Sequence, residues 1–541
     1  MSRTKTLSSL LVIGMALVLS SCSNSKQTQN KDNQQAAIMV NMDLMSLDIS
    51  NGGGTTWEAL NNSMEGLYKI DHRQQPVPAI ATKIVQPTDN QQTYTFNLRP
   101  DAKWSNGDPV TANDFVAAWR RSVQPTAKSG YSYIFSGIQN ADAILAGQKK
   151  PRDLGVTALG AHKLQVKLDH PMPYFNKLMA LPAFFPESHS ALQKFGARYG
   201  TKSQYLYFNG PFKITDWDGA SNSWVFRKNK YYYDRQDIKL AAIKCLVIKD
   251  SNTAHELFEQ NKLDDAKING VVAKGLQGNK NLTNVHKGGT YILRANLRNG
   301  RPLANTKMRQ ALSLAIDRRS LTKDILADGS VPAYTYTSKN VARDPITKKD
   351  FGSETQPTEK HNVTLAKKLW NQGRQEAHLQ GTVHLELSGN DDAITKHVAE
   401  FLQSDLQKAL PKLKVTMKNV PDKTVTTAVR QGNFDAHQTL WLADFSDPIS
   451  FMGTATSNST KNDGHYQDPT FDQLYQQANT NATNPTQYWA LLRQMEQRLN
   501  ETVPNIPLYQ MVESHLVNPH FKGVVRHPVG LDDYTRAYLT K

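Results

Sequence analysis

The sequence predicts an α/β protein of roughly three domains, and three observations lead there. The chain has 541 residues, and a domain takes about 150 as a first guide. Hydrophobic residues make up 39% and charged residues 21%, an ordinary globular composition that is neither disordered nor fibrous. From about residue 363, helical and strand patterns alternate, which implies a parallel sheet with helices on both faces.

The elements follow in chain order. Arg3 and Lys5 precede an apolar run from Leu7 to Leu19, the layout of an export signal over residues 1–21. Ser23 to Gln35 holds no apolar residue, so 22–36 reads as a flexible tether. Ala37 to Leu47 alternates weakly and predicts a strand; Tyr94 to Leu98 and Leu164 to Leu168 are cleaner period-two strands. Gly52 to Gly54 is expected to be a permissive turn. Thr111 to Asp114 has capping-box spacing and opens a helix to Val123. Ala241 to Ile248 is a strand in which Cys245 serves as a small buried hydrophobe. Asn305 opens a helix whose Met308, Ala311, Leu312, Ala315 and Ile316 share one face. The stretch from Pro332 to His361 is polar and reads as a surface excursion. Then come a helix at Leu365 to Trp370 stopped by Gly373, a strand at Val383 to Leu387 and a helix from Ala393 to Leu410. A strand at Leu413 to Met417, a helix at Thr424 to Arg430 and a strand at Phe434 to Trp441 complete the series.

Ligands of parallel sheets bind beyond the carboxyl ends of the strands. Asp444 and Asp447 lie just past the last of these strands and are candidates on topology alone. Two cysteines exclude a disulfide scaffold and a Cys-rich zinc site. No His-Glu-x-x-His, nucleophile elbow or phosphate loop occurs, so nothing argues for an enzyme, a metal or a cofactor. The formal net charge is +16. Losing Arg3 and Lys5 with the signal lowers it by two, to +14. The basic residues are spread out rather than run together, which argues against nucleic acid and for a basic exterior facing an anionic envelope.

Leu19-Ser20-Ser21-Cys22 resembles the bacterial lipobox, which implies cleavage before Cys22 and a lipid on its sulfur. Several further blocks together resemble the oligopeptide-binding lipoproteins of peptide ABC importers, the extracytoplasmic solute-binding protein family 5. They are Tyr94 to Arg121 with its KWSNGDPVTANDF core, Ser46-Leu47-Asp48, Glu65 to Tyr68, Asn209 to Phe212, Asn305 to Arg318, Ala443 to Pro448 and Pro504 to Tyr509. The resemblance runs from about 37 to 541. It implies a periplasmic-binding-protein-like, two-lobed α/β fold that closes like a flytrap, with an additional subdomain. Lobe I would comprise 37–56, 190–288 and 512–541, the subdomain 57–189, and lobe II 289–511.

The same resemblance implies a non-enzymatic receptor, expected to be a monomer. It would capture an oligopeptide and hand it to the transmembrane subunits of an ABC permease, anchored on the outer face of the cell membrane (the periplasmic side in a Gram-negative cell). In that family the peptide is held by its backbone, and its ammonium meets the first acid of the Ala-Asp block, here Asp444. Trp441 matches a pocket tryptophan, and Asp43 falls where an acid stands near the ligand; Asn41 and Met42 are expected to add edge-strand contacts. Trp104 and Gly107 are expected to pack and turn. The chain departs from the pattern at Phe445, usually Tyr, and at Gln438, where enteric members carry a basic residue. Asp422 lies near the place of a second pocket tryptophan. Same-fold receptors for a pheromone, dipeptide, haem or nickel complex remain alternatives, as does a surface-anchored hydrolase.

Overall fold

The computed structural model describes residues 34–127 and 129–540. The export signal, Cys22 and most of the tether lie outside the described residues.

The chain folds around one eleven-stranded sheet that runs through two lobes. β1 (Gln35–Val40) opens the first lobe. The subdomain follows, with the hairpin β2 (Tyr68–Ile70) and β3 (Pro76–Pro78) and a small sheet of β4 (Thr93–Asn97), β5 (Val156–Gly160) and β6 (Lys163–Lys167). The chain returns through β7 (Phe212–Thr215), β8 (Ser223–Lys228), β9 (Ala242–Val247) and β10 (Asp265–Ile268). β11 (Leu282–Ala295) crosses to the second lobe, which holds β12 (Val331–Pro332), β13 (Val383–Asn390), β14 (Leu413–Val420) and β15 (Ala436–Leu442). β16 (Asn505–Val517) crosses back, and β17 (Phe521–Lys522) and β18 (Tyr538–Leu539) form a closing ribbon. The strand order is β14-β13-β15-β11-β16-β10-β1-β9-β8-β7, with β12 beside β16.

The two long strands join the lobes. Leu282–His286 of β11 pairs with Val512–Leu516, and Thr290–Arg294 pairs with Gln510–Asn505. The register breaks between His286 and Thr290, where Gly288 and Gly289 sit. A Cβ at either would lie 2.5 Å from Val529 or Leu442 respectively, so a side chain here would have to displace its neighbour. A bulge there twists the ladder and re-aims a side chain. That side chain is Lys287, whose Nζ donates to the carbonyls of His527 (2.7 Å) and Gly530 (3.0 Å).

Parallel pairing of β13 with β14 and β15 agrees with the alternation read from the sequence. The Asn305 helix runs from Thr306 to Ala315 with Asn305 Oδ1 capping Met308 N at 3.1 Å. Met308, Ala311, Leu312 and Ala315 are fully buried. With Trp370, Leu385 and Leu402 they form the second lobe's core. Thr111 and Asp114 form the capping box of helix Ala112–Ser122. Trp104 is buried, and Gly107 has φ +98. Cys245 is buried, and burial pushes its thiol well up, so it is inert packing. Arg121 ties the subdomain to the first lobe through Asp48 and pairs with Glu187 within the subdomain.

Three expectations fail locally. The first strand ends at Val40, not Leu47, because its pairing with β9 stops there. Gly373 does not stop its helix, which runs Val363–Glu376. A Cβ on Gly373 would sit 2.6 Å from Met308 Cγ, so this glycine exists for close helix packing. The stretch from Pro332 to His361 is a surface excursion only in part. Tyr336, Thr337, Val341 and Phe351 are buried, and the buried Glu496 carboxylate accepts from Tyr336 N (2.7 Å) and Thr337 Oγ1 (2.6 Å). Burying this part of the backbone requires partners, which Glu496 supplies, while 345–349 and 358–361 stay exposed.

Candidate functional site

β15 has two edges, and only one is fully paired. β11 pairs with it from Ala436 to Leu442, whereas β13 pairs only with Ala436 and His437. From Gln438 onward one edge lacks a ladder partner, which leaves backbone groups open to an added strand. The end of this strand lines a cavity of about 620 Å³ between the lobes and the subdomain, within the range of about 300–1,000 Å³ typical of ligand sites. Asn41 and Met42 line it from just past β1. Trp57 lines it from helix Gly54–Ser63, and Tyr131 and Tyr133 from the subdomain. Gly54, the last of the triple glycine, also lines it, with φ +47.

Asp444 sits two residues beyond β15 and lines the cavity. Its N–H donates to Ser450 Oγ at 2.9 Å, and its Oδ2 accepts from Tyr133 Oη at 2.8 Å. Burial pushes its carboxyl up to about 6, against the opposing pull of the Tyr133 hydroxyl and the Lys461 charge. Lys461 does not pair with it directly: its ammonium lies over the Tyr133 ring, 4.6 Å from the centroid. Burial in turn lowers Lys461. Asp444 is therefore a desolvated carboxylate with a hydroxyl for company and no ion-pair partner among the described residues. A cation brought to it gains a strong partner, because burial disfavours the unpaired charge. Trp441 lines the same cavity, with its Nε1 donating to Ser450 O at 3.0 Å. Ser450 thus fixes both the carboxylate and the indole.

The cavity floor is organised differently. Glu513 on β16 faces Lys267 and Lys287, both at 3.6 Å. Burial alone would raise its carboxyl, but the two lysines overcome this and hold it down to about 2. Lys267 also reaches Glu58 at 3.5 Å. These charges satisfy one another.

The five sequence candidates separate. Asp444, Trp441, Asn41 and Met42 share the cavity. Asp43 does not line it; it is exposed and paired with Lys249 at 2.6 Å. The backbone bends at Asn41–Met42 once the β1 ladder ends, which carries Asp43 past the rim. Asp447 also departs from the topological reading. It is buried and accepts from Tyr488 Oη (2.9 Å) and Ile449 N (3.1 Å), so it anchors the loop. Sequence reasoning missed Tyr133, Lys461, Trp57 and Glu513. Tyr133 and Asp444 are 311 positions apart, and no local pattern links them.

The family model for bacterial extracellular solute-binding proteins, family 5 (middle region), matches residues 75–463. The chain belongs to this family. Family 5 proteins bind solutes and are not enzymes, so the hydrolase alternative falls. This solute-binding protein is 31% identical to the dipeptide-binding protein DppE of Bacillus subtilis over 535 residues, with 97% of each chain covered. Among solved structures it resembles OppA of Listeria monocytogenes bound to peptide, at 32% identity and TM-score 0.82, covering 94% of this chain and 99% of that one. It also resembles the pheromone receptor PrgZ, whose structure describes its mode of peptide binding. There the identity is 33% and the TM-score 0.84, with 94% of this chain and all of that one covered.

Proposed function

We propose that this solute-binding protein captures oligopeptides outside the cytoplasm and delivers them to the transmembrane subunits of an ABC permease. The observation that carries the reading is Asp444: an unpaired, desolvated carboxylate at the end of a strand with an open edge. An extended peptide adds to β15 along Gln438–Leu442, and its backbone N–H and C=O groups, common to every sequence, supply affinity without choosing side chains. The terminal ammonium pairs with Asp444, Trp441 packs against the first residues, and Asn41 and Met42 approach from the other lobe. The lobes, 37–56 with 190–288 and 512–541 against 289–511, rotate about β11 and β16 to enclose the ligand, with 57–189 riding on the first. Cys22 carries the lipid that holds a monomer at the outer face of the membrane. This tether raises receptor concentration at the permease.

Native mass spectrometry of the purified protein, followed by denaturation and sequencing of what is released, tests the reading. A ladder of mixed peptides supports a broad oligopeptide receptor; a single defined peptide narrows it to a dedicated one. Release of haem, a metal complex or a sugar, with no binding of a peptide mixture, sinks it. Intact mass of the membrane-extracted protein tests the anchor. A diacylglyceryl mass on a chain starting at Cys22 is expected, and a bare chain starting elsewhere removes it.

A further inference from the structure

A second cavity, of about 410 Å³, lies at the carboxyl ends of β13 and β14. Leu440 lines both it and the main cavity, and Gln438 lines it on the same strand. The two chambers are thus strung along β15, with Asp444 at one end and this chamber four to six residues away. At ~3.3 Å per residue that is ~13–20 Å of extended peptide.

The chamber's charge runs against the rest of the molecule. The chain carries +16 overall, and in the main cavity lysines such as Lys287 and Lys461 stand beside the carboxylates. Here Asp392 and Asp422 line the wall with no lysine or arginine beside them. His437 adds no positive charge at neutral pH, since burial, helped by Arg294, lowers it to about 4. Neither aspartate has an ion-pair partner among the described residues. Asp392 spends its carboxylate on the helix cap at Thr395, with N at 2.9 Å and Oγ1 at 2.6 Å. An independent feature points to an occupant. Tyr509, only 5% exposed, lines the chamber, and its hydroxyl makes no hydrogen bond among the described residues. Tyr291, which also lines it, stacks on Tyr509 with ring centroids 4.5 Å apart. The hydroxyl is open to the chamber rather than sealed in, so it is free to accept from a ligand. Carboxylates, a hydroxyl and aromatic faces together suit one chemistry, a cation carrying N–H donors.

We propose that this chamber is a subsite for a lysine or arginine side chain of the bound peptide, placed about four to six residues beyond the one held at Asp444. The inference rests on the reading that the peptide lies along β15, and it names the ligands this receptor prefers: oligopeptides with a cationic residue about four to six positions after the first. Because both aspartates are solvent-accessible, each contributes modestly.

The test is a positional scan by calorimetry. Lysine, arginine, norleucine and glutamate are placed in turn at each position of an otherwise neutral octapeptide with a free amino terminus. The expected result is one window, at about positions five to seven, where lysine and arginine bind about 3–10-fold tighter than norleucine and glutamate binds weaker. The double variant Asp392→Asn/Asp422→Asn should erase that window, since asparagine keeps a capping oxygen for Thr395 while losing the charge. Raising the salt should shrink it. Equal affinities at every position, or a cation preference that survives in the double variant, would overturn the proposal. If neutral peptides bind and no window appears, this inference fails alone; if no peptide binds, the receptor reading fails with it.

Discussion

Two carboxylates of the same cavity are buried to opposite effect. Glu513, on the strand joining the lobes, is flanked by Lys267 and Lys287 and held down to about 2. Asp444, just past β15, has a tyrosine hydroxyl and a lysine that does not reach it, and burial pushes it up to about 6. Both sit where water is scarce, so the difference lies in their partners. A protein that compensates a buried charge is using it to hold itself together. A protein that leaves one uncompensated at an open strand edge has left room for a ligand to do so.

The comparison breaks most readily at Asp444. Asp444→Asn should cost roughly 2–5 kcal/mol in affinity for a peptide with a free amino terminus, measured by calorimetry. The unliganded protein should melt no lower. The sign follows from the raised carboxyl: between the ordinary value of 3.8 and about 6 the folded state binds more protons than the unfolded one, so stability falls as pH rises through that window. Above pH 6 the variant no longer carries that cost. Unchanged affinity removes Asp444 from the site.

Glu513→Gln should do the reverse. It leaves Lys287 and Lys267 facing a neutral amide, and orphaning one side of a buried pair costs about 3 kcal/mol or more. The low end is expected because a fifth of the Glu513 side chain is exposed. Denaturant unfolding should show the loss, with peptide affinity per folded molecule nearly unchanged. A loss below about 1 kcal/mol would equate the two carboxylates and undo the contrast.

Much of this is legible in the sequence alone. The helix and strand alternation after residue 363 is period information, and period information is local. The same holds for the Thr111 capping box and the apolar face opened by Asn305. The position of Asp444 in the cavity was legible on two grounds, its place past a strand of a parallel sheet and its family block. What stayed hidden is what only the tertiary fold decides. Asp447 has the same local signal as Asp444 and became an anchor because Tyr488 packs onto it. Asp43 matched a position but lost it when the β1 ladder ended at Val40. Gly373 looked like a stop because its contact with Met308 comes from another helix. Tyr133 carries no signal at all until the subdomain is laid against the second lobe.

Proton linkage offers a finer probe of the same contrast. A bound ammonium returns the Asp444 carboxyl toward its ordinary range, so binding releases a proton at any pH where the free carboxyl is protonated. Affinity should be flat between about pH 6 and the pKa of the peptide's own α-amino group (about 7.7–8.0), above which the ammonium itself is lost, and should fall below about pH 6 by up to tenfold per unit. Asp444→Asn should abolish the slope, and Glu513→Gln should leave it intact.

The smallest effect is the most specific to the geometry. Tyr133 donates to Asp444 Oδ2 at 2.8 Å and so favours its charged form. Tyr133→Phe keeps the ring beneath Lys461 and removes only the hydroxyl. Without it the free carboxyl rises further, and the break in the affinity profile should move up by about one pH unit, since one unit corresponds to ~1.4 kcal/mol and a hydrogen bond to a charged group contributes about that much. Above the break the loss in affinity should be small, because the incoming ammonium replaces what the hydroxyl supplied. A profile that keeps its midpoint while affinity drops uniformly would mean that Tyr133 touches the peptide rather than the carboxylate.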